Sequence, residues 1–204
     1  MGGFELTEFA ARHPDRVSKL IYLDAGYAWT DPQWAEAGRE WPFNVVPPES
    51  ALVSLNAFRS WIRSGVFIDV EWSDALEADV RGMTRVGADG SVRMVPSQDV
   101  IDAYAQGAFA PGSHVVRYSE VTAPALAIYA ATWFPEQLAD DSISRWEEVH
   151  YRPFKNASIE RLRREMPGVE ILVLEGGSHA TFMHSHLTAV LESMARFLSA
   201  SDSS

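Results

Sequence analysis

The chain has 204 residues, 47% of them hydrophobic, which is enough for one sizeable domain or a part of a larger one and too much for wholesale disorder. A formal net charge of -11, with no clustering of the arginines, argues against a nucleic-acid partner, and the absence of cysteine excludes disulfides, thiolate nucleophiles and Cys-based zinc sites. No window reaches the ~18 uninterrupted apolar residues that a membrane helix needs.

In chain order, "MGGFELTEFAARHP" reads as an amphipathic helix with Phe4, Leu6, Phe9 and Ala10 at helical spacing, closed by His13 and Pro14. Its start offers neither a capping side chain nor an acid at the first position, so the helix is expected to have been cut from whatever capped it. No basic stretch followed by an apolar one occurs at this end, so no secretory signal is expected in the chain, and its compartment is left open. The run Leu20–Leu23 reads as a buried parallel strand ending in Asp24. Two further apolar runs, "APALAIYA" (about 123–130) and "GVEILVLEGG" (about 168–177), have the same character. Each is followed by helix-like sequence, which predicts an α/β class.

Between the first two strands lies an insertion, about 27–120, that lacks this rhythm. It holds Trp29, Trp34, Trp41, Trp61 and Trp72, a Pro47-Pro48 pair and a hairpin-like "GADGSVRM" at 87–94. Its length and aromatic content predict a lid walling an apolar pocket; a helical subdomain with tryptophans in its own small core is the alternative. The charged stretch 142–164 predicts helix broken at Pro153. The last helix is expected to bury Leu187, Val190, Leu191, Met194 and Phe197 on one face, and "SASDSS" is expected to be a disordered tail.

"AARHPDRVSKLIYLDA", then "PALAIYA", then "LEGGSHATF", each at a strand end, together resemble the second half of a capped α/β-hydrolase. The resemblance implies a partial α/β-hydrolase fold, with residues 1–26 and 121–200 forming the core, 27–120 the cap and 201–204 a tail. It also implies that "MGG" matches the end of the G-H-S-M-G-G form of the nucleophile elbow. Met1 would then stand one position after the nucleophile, where a complete elbow supplies an oxyanion N–H, and Gly2 would close the elbow.

In this family acyl transfer needs a nucleophile, a histidine base, an orienting carboxylate and an oxyanion hole. His179, in a Gly-rich loop directly after an apolar strand, is the expected base. The usual acid position after "ALAIYA" falls near Trp133, which cannot accept a hydrogen bond from histidine. The branch that places the acid at the end of the preceding strand points to Asp24 instead, with Glu136, Asp140 and Asp141 as fallbacks. Trp29, Trp34 and Trp133 are candidate contacts for a small apolar substrate. His179, His184 and His186 could be read as a metal cluster, but no carboxylate sits at ligand spacing, so neither a metal nor another cofactor is expected.

No G-x-S-x-G occurs in the sequence, and Ser178, adjoining His179, is a poor substitute. The resemblance therefore implies an esterase-like hydrolase whose attacking residue, Ser or Asp, is missing, so that the chain is inert alone. The alternative is a non-catalytic module that binds a ligand or partner. Oligomeric state is left open.

Overall fold

Strict alternation along the strand Ala125–Thr132 organises the protein: Ala125, Ala127 and Tyr129 face one apolar cluster, Leu126, Ile128 and Ala130 the other. Six consecutive buried positions are the pattern of a strand covered on both sides. The computed structural model describes residues 2–42, 46–108, 116–138 and 140–200, and the expected tail, 201–204, lies outside them.

The elements, in order, are α1 (Gly3–Arg12), β1 (Leu20–Leu23), α2 (Pro32–Arg39), α3 (Glu49–Leu52), α4 (Leu55–Ser64), α5 (Asp74–Gly82), β2 (Thr84–Val86) and β3 (Val92–Met94). There follow α6 (Gln98–Ala108), β4 (Ala125–Thr132), α7 (Asp141–Trp146), α8 (Arg152–Glu165), β5 (Glu170–Ser178), α9 (Phe182–Ser185) and α10 (Leu187–Ser199). A parallel sheet in the order β1-β4-β5 forms the centre, with Leu20 opposite Ala125 and Leu126 opposite Glu170. All three strands lie where the apolar runs predict them. Helices α1 and α8 cover the tyrosine-bearing face, and α9 and α10 cover the aliphatic one.

The predicted hairpin is the antiparallel pair β2-β3, in which Val86 is opposite Val92 and Gly87 N–H donates to Ser91 O. Around it Phe58, Ile62, Phe67, Leu76, Val80 and Val92 build a cluster of their own. The tryptophans of the insertion divide accordingly. Trp29, Trp34 and Trp41 join the cluster of the sheet, whereas Trp61 and Trp72 pack on the separate one.

Two expectations need correction. Pro153 does not break its helix: a π-helical turn, Glu147–Tyr151, leads from α7 into α8, and the proline sits in the first turn of α8. A widened turn just ahead relieves the clash of the ring with the preceding carbonyls, so the backbone stays helical on both sides of the proline. Leu187 and Leu191 are exposed, while α10 buries Val190, Ser193 and Phe197. The apolar stripe of α10 is wider than the face of the three strands it covers, so its flank is left in solvent.

Candidate active site

The site is assembled where β1, β4 and β5 end. Asp24 follows β1 directly, with its N–H on Ile128 O at 2.7 Å and a φ of 47°, a left-handed conformation that Asp tolerates better than most residues. That backbone turn directs the carboxylate inward, where its side chain is wholly buried. His179 follows β5, whose pairing with β4 shifts register between Ala130 and Thr132, with Gly176 at φ 76° in the extra segment. A bulge of this kind re-aims the residues after it. It brings His179 back over β4, where its N–H donates to Thr132 O at 2.9 Å.

The two side chains meet: His179 Nδ1 lies 2.6 Å from Asp24 Oδ2. An ionised carboxylate has no proton to give, so Nδ1 is the donor and Nε2 keeps its lone pair, the tautomer a general base requires. The histidine side chain is about one-third exposed while its carboxylate partner is sealed. Trp133 stacks on the imidazole at 4.0 Å between centroids and 9° between planes.

The helix α7, the π turn and α8 hold this arrangement from beneath. Glu147 accepts the N–H groups of Trp133 (2.7 Å) and Phe134 (2.8 Å), fixing the loop that carries the stacked ring. Burial pushes its carboxyl above the usual range, against the lowering effect of those two N–H groups. Lys155 donates to Ala130 O at 3.3 Å and also to Ala131 O, and burial pulls its ammonium pKa down. Tyr151 reaches Tyr27 at 2.8 Å between hydroxyls, and Tyr27 donates to Asp24 Oδ1 at 2.5 Å. Nothing in the spacing of these residues in the sequence marks them out.

No family model matches the sequence, and neither does any curated protein. Solved structures do. The chain is similar to E-2-(acetamidomethylene)succinate hydrolase, with a TM-score of 0.61 and 19% identity, over 94% of this chain and 61% of that one. It is similar to the thioesterase domain from the curacin biosynthetic pathway (TM-score 0.56, 14% identity, 98% and 62%) and to a marine microorganism esterase (0.52, 16%, 96% and 66%). The chain has a partial α/β-hydrolase fold. It spans less than two thirds of the length of each of these enzymes.

Within this α/β-hydrolase fold the other sequence candidates fall as follows. Met1 lies outside the described residues. Gly2 is exposed, with open space where a Cβ would stand; at Gly3 a Cβ would strike the Ala25 carbonyl, so α1 approaches the segment after Asp24 only because that residue is glycine. Trp29 is buried and packs against Tyr27, while the half-buried Trp34 and Trp133 touch one another at 5.1 Å. Trp133 thus borders His179, and Trp29 is core.

Of the fallback acids, Asp140 caps α7, accepting from Ser142 N and Ile143 N, Asp141 opens that helix, and Glu136 lies in a 3-10 turn. Ser178 is buried and hydrogen-bonded to Thr181, which itself donates to Asp69 of the insertion. The three histidines have separate partners. His184 meets Asp79 at 2.9 Å, and His186 lies between Ser185 Oγ and Glu175 O, so they do not converge on a shared centre. Among the described residues no helix is long and apolar enough to cross a membrane.

Proposed function

We propose that this chain supplies the base, His179, and the acid, Asp24, of a nucleophile-His-acid hydrolase acting on an ester or a related small apolar substrate. The observation that carries the reading is the 2.6 Å contact of His179 Nδ1 with a fully buried carboxylate, made across the end of β4 by the residues that follow β1 and β5 in an α/β-hydrolase fold. Nε2 takes the proton of the attacking group and returns it to the leaving alcohol, and Asp24 stabilises the imidazolium formed in between. The enzymes similar in fold are named as a hydrolase, a thioesterase domain and an esterase, which is consistent with acyl transfer. Trp133 against the imidazole, with Trp34 beside it, favours an apolar group on the substrate. The separate cluster inside the insertion 27–120, from Phe58 to Val92, serves as the cap of this site, tied to the segment after His179 by the contacts of Asp69 with Thr181 and of Asp79 with His184.

The sequence has no G-x-S-x-G, and the 204-residue chain alone is expected to hydrolyse p-nitrophenyl acetate no faster than a heat-killed control. Joined ahead of Met1 to a strand and a G-x-S-x-G elbow, it is expected to gain ester turnover that His179→Ala lowers by on the order of 1,000-fold or more. A chimera that melts cooperatively and gains no turnover overturns the reading. So does turnover that survives both His179→Ala and Asp24→Ala. The ring cluster of Trp34, Trp41 and Trp133 beside His179 supports a second reading, a non-catalytic module for a small apolar ligand. It predicts that the chain alone binds p-nitrophenyl acetate without cleaving it and that the chimera stays inert.

A further inference from the structure

We infer that Tyr151 and Tyr27 form a directed hydrogen-bond relay that positions Asp24 for His179. The direction follows from counting protons. Asp24 as a carboxylate can only accept, so the single hydroxyl proton of Tyr27 is committed to Oδ1 at 2.5 Å. The Tyr27 oxygen is then left as the acceptor toward Tyr151, and the 2.8 Å contact between the two hydroxyls is a donation from Tyr151. Oδ1 also accepts Ala130 N–H at 3.2 Å, and Oδ2 takes His179. With three donors fixed around a side chain that no water reaches, the carboxylate has one orientation available.

Burial holds both phenols in the protonated, donating form. A phenol that accepts a hydrogen bond also becomes a better donor, so Tyr151 acts on Asp24 through Tyr27. The ring of Tyr27 is itself clamped, stacked on Phe154 at 5.5 Å and edge-on to Tyr129 at 5.3 Å. The π turn ends on Tyr151, whose ring is parallel to that of Trp146 five residues earlier, the spacing of a π helix. The irregular turn that accommodates Pro153 is thereby also the element that delivers the first donor of the relay.

Both tyrosines are positioning residues, and their role rests on reading His179 and Asp24 as base and acid. The test reads the tautomer of His179, which needs no turnover. In the 204-residue chain at alkaline pH, where the imidazole is neutral, long-range proton–nitrogen correlation spectra assigned with His179→Ala are expected to show the Nδ1–H tautomer. Tyr27→Phe keeps the ring and removes the hydroxyl; it should convert a large share of His179 to the Nε2–H tautomer. Tyr151→Phe should convert a smaller share, and the double variant should match Tyr27→Phe alone.

An unchanged tautomer in Tyr27→Phe, or independent contributions from the two substitutions, overturns the relay. Should Tyr27→Phe fail to melt cooperatively, Tyr151→Phe carries the test, and an unmoved tautomer there overturns it equally. A tautomer that responds while every chimera stays inert would remove the hydrolase reading and leave the relay standing. Ester turnover with a tautomer indifferent to both tyrosines would do the reverse.

Discussion

On one side of the central strand stand Leu126, Ile128 and Ala130, closed over by Leu174, Phe182, Val190 and Phe197; on the other stand Ala125, Ala127 and Tyr129, and what packs there differs in kind. The first face is filled mainly by aliphatic side chains. The second is filled by rings with polar ends, Tyr22, Tyr27, Tyr118, Tyr129, Tyr151, Trp29 and Trp146, several of which spend their hydroxyl or indole N–H on a buried partner. Apolar contacts are non-directional, whereas a buried hydroxyl must find its partner at a set angle and distance. The aliphatic face therefore contributes stability, and the aromatic face contributes stability together with a fixed orientation for Asp24.

If that division holds, damage to the aliphatic face costs folding energy and leaves the site's geometry alone. Ile128→Ala removes a side chain with no exposed surface and should destabilise the chain by about 2–5 kcal/mol in denaturant unfolding. The tautomer of His179 should stay as it is. A tautomer that shifts with Ile128→Ala would mean that the two faces are not separable.

A smaller lesion on the aromatic face should do the opposite. The Cβ of an alanine at Gly26 would stand 2.6 Å from the Tyr129 hydroxyl, the same group that donates to Gly26 O at 2.8 Å. Gly26→Ala should cost about 1–3 kcal/mol, less than the aliphatic truncation, yet displace Tyr129 from Tyr27 and disturb the tautomer. Thermal melting beside the same spectra separates the two readouts. A third change tests a residue whose position in sequence suggested an acid. Asp140→Ala should lower stability by about 1 kcal/mol through the lost cap of α7, with no effect on the pairing of His179.

The aliphatic face was the more legible in the sequence. Three apolar runs marked the strands, most fully for β4, because a parallel strand buried on both sides has few polar positions; β1 and β5 flank it and are only partly buried. Asp24 and His179 were legible because each directly follows such a run, where this fold gathers its polar groups. Tyr27 and Tyr151 were not, since the contact joins residues 124 positions apart and depends on a π turn that no local pattern announces. The division of the tryptophans was hidden for a related reason: Trp29 and Trp61 lie in one insertion, but only the fold decides which cluster each one joins. Leu187 and Leu191 misled because a helical stripe shows which side is apolar, not how much of it the sheet covers.

The finest test of the aromatic face is its response to pH. Burial raises the Glu147 carboxyl above its ordinary value, so over the interval between the unfolded and folded values the folded chain holds a proton that the unfolded chain has released. The contribution of Glu147 to stability is therefore highest below the unfolded value and falls as pH rises toward the folded one, the reverse of an ion-paired carboxylate. Glu147→Gln keeps an acceptor for Trp133 N–H and Phe134 N–H and removes the titration. The stability difference between the unaltered chain and Glu147→Gln, from denaturant unfolding at a series of pH values, should shift steadily against the unaltered chain across that interval. A flat difference would mean that the two N–H groups fully compensate the burial, and that the loop carrying Trp133 is held by geometry without an electrostatic cost.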